Sequence, residues 1–103
     1  MFEIITRRDD LIVRRSVLQP GEATPWHTDP VHRLTVVVRG ERITIEMRDT
    51  GETIDIPVHA GLTDWDPPEP RVHRAVNTGR TTFEEVVTFY LDRAGQDPQP
   101  GAG

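Results

Sequence analysis

Apolar residues recur at every second position along much of this chain, and proline or glycine interrupts each run before a helix could grow. Ile43-Thr44-Ile45-Glu46-Met47 shows the alternation most cleanly. That period puts apolar side chains on one face of a sheet and polar ones on the other. Nine prolines and eight glycines in 103 residues leave little room for long helices. The pattern predicts strands at Leu11–Leu18, Leu34–Val38, Ile43–Met47, Thr53–Ile56, Val72–Asn77 and Phe83–Leu91, with a further one near Phe2–Ile5. Val36-Val37-Val38 is continuous rather than alternating, which predicts a strand covered on both faces. Arg39-Gly40-Glu41 and Asp49-Thr50-Gly51-Glu52 read as hairpin connections. Short strands with regular turns predict an all-β sandwich or barrel, and a jelly roll manages its edges by folding two sheets face to face.

A chain of 103 residues makes one domain with a modest core. Residues 1–93 are expected to form it, and the tail from Ala94 to Gly103 (AGQDPQPGAG) has no apolar anchor and is expected to lack fixed structure. A net charge of -5 argues against nucleic acid and anionic membranes as partners. No apolar run reaches the length of a membrane span and MFEIITRRDD is no signal peptide, so the expected location is cytoplasmic. The twelve basic residues are all arginine and cysteine is absent, which removes Schiff-base and thiol chemistry. Ser16, the single serine, follows Arg14-Arg15 with no histidine nearby in sequence, a poor start for an activated nucleophile. Any catalysis must then rest on histidine, carboxylate, arginine or a bound metal. The Arg14-Arg15 pair itself reads as a solvated strand edge.

Two stretches carry the candidate chemistry: PGEATPWHTDPVHRLTVVVRG, with Gly21, His27 and Asp29, and AGLTDWDPPEPRVHRAVN, with Gly61, His73 and Asn77. In both, the order and spacing resemble the paired motifs of a cupin, within which the chain is most similar to the small single-domain bacterial proteins of the β-alanine-degradation type. Gly21, His27 and the closing Gly40 match the first motif; Asp29 stands where its second histidine is expected and Arg33 where its glutamate is expected. In the second motif Gly61, Pro67, His73 and Asn77 match, Glu69 replaces a glycine, and one extra residue precedes His73. The resemblance spans roughly residues 11 to 91. It implies a double-stranded β-helix (jelly-roll) barrel, a site inside its mouth and a homodimer; it implies no single reaction.

Carried over residue by residue, the resemblance implies a divalent metal, iron, manganese, nickel or zinc, held by His27, Asp29 and His73. Residues 27 and 29 share one strand face, and two histidines with one carboxylate form a facial set with open positions. Arg33 is the difficulty. Pointing inward, its guanidinium about 5 Å from a dication would be repelled by roughly 6 kcal/mol at an effective dielectric of about 20. Either Arg33 pairs with Asp29, leaving an anion-binding pocket, or a bulge turns His32 inward as a ligand instead. Asn77 is expected to fix a turn, and Trp26 and Trp65 to pack in the core or at the rim.

Three functions follow. A metal-dependent enzyme, of oxygenase or isomerase type, would act on a small carboxylate-bearing molecule and keep Arg33 away from the metal. A metal-free acid/base site would aim Arg33 at substrate, with Asp29 against His27. A non-catalytic small-ligand or regulatory module would have its pocket plugged by Trp26, Trp65 or other apolar groups.

Overall fold

The computed structural model describes residues 1–91, all of them in strands and connections; the expected unstructured tail lies outside the described residues. Nine strands follow in order: β1 (Phe2–Arg7), β2 (Leu11–Leu18), β3 (His27–Asp29), β4 (His32–Arg39), β5 (Arg42–Met47), β6 (Thr53–Pro57), β7 (Thr63–Asp66), β8 (Glu69–Asn77) and β9 (Phe83–Tyr90). A five-stranded sheet in the order β1-β2-β9-β4-β7 faces a four-stranded one in the order β3-β8-β5-β6, with antiparallel pairing throughout. This is the expected all-β jelly roll. Among the described residues no helix is long and apolar enough to cross a membrane.

The seven predicted strands are all present, most of them extended by a residue or more. Two short strands escaped the pattern. β3 reads His-Thr-Asp and β7 reads Thr-Asp-Trp-Asp, so neither carries the apolar alternation that marks a strand. Both are held by their neighbours, β3 by β8 and β7 by β4.

The valine run is corrected too. Val37 is 4% exposed, but Val36 and Val38 are 37% and 43% exposed, because among the described residues no layer covers the outer face of β4. Of the two expected hairpins one holds. Gly51 turns β5 into β6, with the Gly51 N–H donating to the Met47 carbonyl at 2.9 Å. Arg39-Gly40-Glu41 is a crossover instead, carrying the chain from β4 in one sheet to β5 in the other.

Leu18, Val37, Ile43 and Phe83 form the buried core, with Ile45, Val58, Leu62 and Ala75 packed against it. Phe83, Leu18 and Val37 come from one sheet, Ile43 and Ala75 from the other, so the core glues the sheets together at one end. Polar residues fill the other end.

Candidate metal and ligand site

Gly21 and Gly61 turn the chain at φ +85° and +88°, a conformation that favours glycine. The Gly21 N–H donates to the Asn77 carbonyl at 2.8 Å, and the Asn77 N–H donates to the Glu22 carbonyl at 2.9 Å, which ties the start of the first motif to the end of the second. The Asn77 side chain, 1% exposed, donates to the carbonyls of Leu18 and Thr81, each at 2.9 Å, and accepts from the Gly79 N–H at 3.0 Å. Asn77 therefore fixes the β8–β9 turn.

With the motifs held together, β3 pairs with β8 so that His27 lies directly opposite His73. Cross-strand partners share a face, and the two rings stand 4.6 Å apart. A register shift after His27 swings Asp29 in beneath them. Asp29 Oδ2 is 2.7 Å from His73 Nε2 and 3.6 Å from His27 Nε2. The ligand atoms of His27, Asp29 and His73 all lie within 4.8 Å of one another.

Both rings are oriented from behind. His27 Nδ1 meets the Pro25 carbonyl at 2.7 Å and His73 Nδ1 meets the Arg71 carbonyl at 2.8 Å. Carbonyl oxygens only accept, so each Nδ1 carries the hydrogen and each neutral ring turns the lone pair of Nε2 inward. Two imidazole lone pairs and a carboxylate oxygen thus converge on one point. Only a proton or a metal cation resolves that convergence, and the backing hydrogen bonds are those that orient histidine ligands. The residues fit a divalent ion.

The remaining expected residues divide. Arg33 does point inward: its Nη2 is 3.5 Å from Asp29 Oδ2 and 3.9 Å from Asp66, and its Nη1 donates to the Pro67 carbonyl at 3.4 Å. His32, one residue earlier, points the opposite way and stacks on Trp65 at 5.5 Å, so the structure does not bring it to the ligand cluster. No bulge inverts β4 at this point, and alternation alone sends the two side chains to opposite faces. Trp26 packs under Arg74 at the rim and Trp65 sits on the outer face, 37% and 56% exposed, and neither plugs the cavity.

That cavity, about 150 Å³, opens between the sheets. Its walls include Asp64, Asp66 and Glu85, which the sequence did not single out, and Arg14 and Ser16, which it read as a solvated edge and an unactivated serine. Arg14 departs from the solvated-edge reading. Arg15 faces out, to Glu84 at 2.8 Å, while Arg14 faces in. Arg14 shares its strand face with Ser16 and Leu18, both buried, although the opposite face, with Leu11, Val13 and Val17, is the more apolar in sequence.

Charge tunes the cluster. Interaction with Asp29 raises His27 above its ordinary pKa, against burial and the nearby Arg14, which lower it. Burial pushes the Asp29 carboxyl up, but His27 and then Arg33 pull it down more strongly, to below the usual carboxylate value. Glu85 lies deep in the barrel, where burial pushes its carboxyl up to about 7 against the pull of Arg14 and Arg33.

Neither a family model nor a curated protein matches the sequence. Solved structures do match. A cupin domain from Bordetella pertussis Tohama I superposes with a TM-score of 0.77 at 18% identity, covering 87% of this chain and 91% of that one. An RmlC-like cupin family protein with a double-stranded β-helix fold, from Methanocaldococcus jannaschii, gives 0.71 at 18% identity over 88% and 79%. A protein with a double-stranded β-helix domain from Klebsiella pneumoniae gives 0.69 at 23% identity over 92% and 79%. With two facing antiparallel sheets and these neighbours, the chain has a double-stranded β-helix fold like theirs.

Proposed function

We propose that this protein binds a divalent transition metal (iron, manganese, nickel or zinc) through His27, Asp29 and His73, and uses it on a small carboxylate-bearing molecule. The observation that carries this reading is the convergence of two Nε2 lone pairs on Asp29 Oδ2, with both Nδ1 atoms already committed to carbonyls. When bound, such an ion polarises a substrate oxygen or activates water or dioxygen. The chain's own residues bind and orient. His27 and His73 fix the geometry across a strand pair, and Arg33, held by Asp66 and the Pro67 carbonyl, meets an anionic group at the cavity mouth. Asp66 also bears on the repulsion expected between Arg33 and a metal, since it adds a second carboxylate beside the same guanidinium nitrogen that faces Asp29. A homodimer through the outer face of the five-stranded sheet belongs to the same reading, because Val36 and Trp65 lie exposed there.

A second reading is favoured by the 3.5 Å approach of Arg33 to Asp29. If Arg33 and the hydrogen-bonded His73 ring together satisfy Asp29, the cavity is a metal-free site for a small anion.

Elemental analysis separates the two. Tag-free protein offered Fe(II), Mn(II), Ni(II) and Zn(II) in turn is expected to retain close to one equivalent of at least one of them. His73→Ala is expected to lose it. Wild-type protein that refuses all four ions overturns the metal reading.

A further inference from the structure

Across the cavity from the histidines, β2 and β9 present a second group of polar side chains to which the metal reading gives no role. Ser16 and Glu85 are cross-strand partners, and Arg14 lies one inward position along β2. The three form one continuous polar wall inside a barrel whose floor is apolar. Burying such groups without partners is costly, so their hydrogen bonding has to be accounted for.

The accounting does not close within the chain. Ser16 is 3% exposed, yet its Oγ has no hydrogen-bond partner among the described residues, and neither does the buried Arg14 Nε. The other arginine that lines the cavity has acidic company, Arg33 with Asp29 and Asp66. Arg14 forms no ion pair among the described residues. Its guanidinium lies between the rings of Phe2 and Phe89, 5.0 and 4.9 Å from their centroids. Aromatic faces hold a guanidinium by its flat sides and leave its N–H edge unsatisfied. Glu85 is near enough for Arg14 and Arg33 to act on its charge, but it closes to ion-pair distance with neither.

The unmet groups define a complementary ligand. Planar donors from Arg14 call for a carboxylate, which guanidinium binds through paired N–H bonds. Ser16 adds a donor or acceptor. The Glu85 carboxyl calls for a hydroxyl beside that carboxylate; an ammonium there would also meet the charges of Arg14 and Arg33. A cavity of about 150 Å³ admits a ligand on the scale of about six heavy atoms, since a void of that volume takes up benzene.

We propose that Arg14, Ser16 and Glu85 form a carboxylate-binding subsite facing the His27–Asp29–His73 cluster, and that it selects a small hydroxy acid of three or so carbons. Arg33, tied to Asp29 and Asp66, is then left for an anionic group at the mouth, and Arg14 is the carboxylate anchor inside. The subsite refines the metal-site reading by naming its ligand class, but it stands on its own residues.

Calorimetric titration of full-length protein with lactate and with propanoate, in metal-loaded and metal-stripped forms, tests it. Lactate is expected to bind at least tenfold more tightly than propanoate. Arg14→Gln is expected to weaken lactate at least tenfold with metal content unchanged, in keeping with loss of charged hydrogen bonds. Glu85→Leu is expected to abolish the preference for lactate and leave propanoate unaffected. Should Arg14→Gln fail to fold, as judged by thermal melting, Arg14→Lys decides: it keeps the charge but loses the planar fork, and the same weakening is expected. Lactate affinity untouched in a folded Arg14 variant, or no binding of either acid to wild type, overturns the subsite. Arg14-dependent lactate binding by a protein that takes up no metal sinks only the metal reading, and stoichiometric metal without acid binding sinks only the subsite.

Discussion

Asp29 faces two imidazoles and a guanidinium, so its charge governs what the barrel mouth can hold. Its pKa is held below the ordinary value and that of His27 is raised above it. The sign of each follows from linkage. His27's contribution to stability is complete below its unfolded pKa of 6.5 and is lost as pH rises through the higher folded value. Asp29's is present above 3.8 and is lost as pH falls through its lower folded value. Asp29→Asn should therefore lower the His27 pKa in metal-stripped protein, as read by NMR titration of the imidazole; an unmoved His27 would show that the pair does not interact. Because a metal needs the neutral ring, metal affinity should climb as pH passes His27's raised pKa. Glu85 has the opposite sense to Asp29. Its folded pKa of about 7 lies above the unfolded 4.5, so the protonated form is favoured on folding and this contribution fades as pH rises between those values. Glu85→Gln should flatten that part of the stability profile and stabilise the protein at pH 8, by on the order of 2 kcal/mol once screening through the open cavity is allowed for. Urea denaturation across pH checks it, and an unchanged profile would place Glu85 in ordinary solvent.

At the level of strands and turns, alternation decided what could be read in advance. β5 announces itself because one face packs on the core and the other is polar, and β2 and β9 by their density of β-branched, aliphatic and aromatic residues. β3 and β7 do not, since they are three and four residues of polar sequence recruited by neighbours. Alternation does not settle β2: Leu11, Val13 and Val17 make the face of Arg15 the more apolar one, yet Arg14 is the arginine that lines the cavity. The Gly40 connection shows a different gap: a short turn looks alike in sequence whether it folds a hairpin or passes between sheets, and packing against Phe83 and Val58 settles which. Asn77 was legible from its motif position; its side-chain bonds hold the β8–β9 turn, and its backbone bonds to Gly21 and Glu22 join the two motifs. Asn77→Ala strands two carbonyls and an N–H in a dry turn and should cost roughly 3 kcal/mol. A change in urea midpoint corresponding to less than about 1 kcal/mol would mean that water replaces the amide there.

As a whole molecule the chain carries an acidic net charge of -5 and a sheet whose outer face is partly apolar. Val36, Val38 and Trp65 lie exposed on or beside β4 and β7. For the proposed homodimer this is the surface of choice, and Val36→Asp should convert a dimer to a monomer in sedimentation velocity while leaving metal content unchanged. A wild type that sediments as a monomer would remove the dimer from the reading. The sequence by itself determined that the chain is all β, that two histidine-bearing stretches at the edges of β-like runs carry the candidate chemistry, and that His27, Asp29 and His73 are the candidate ligands. Those properties are local: period, turn chemistry and residue spacing survive without knowing which strands meet. Where Arg33 points, which of Arg14 and Arg15 enters the barrel, and that Ser16 and Glu85 share its far wall were decided only by tertiary structure. Each depends on which strand face the opposite sheet covers, and that is set by pairing between segments dozens of residues apart.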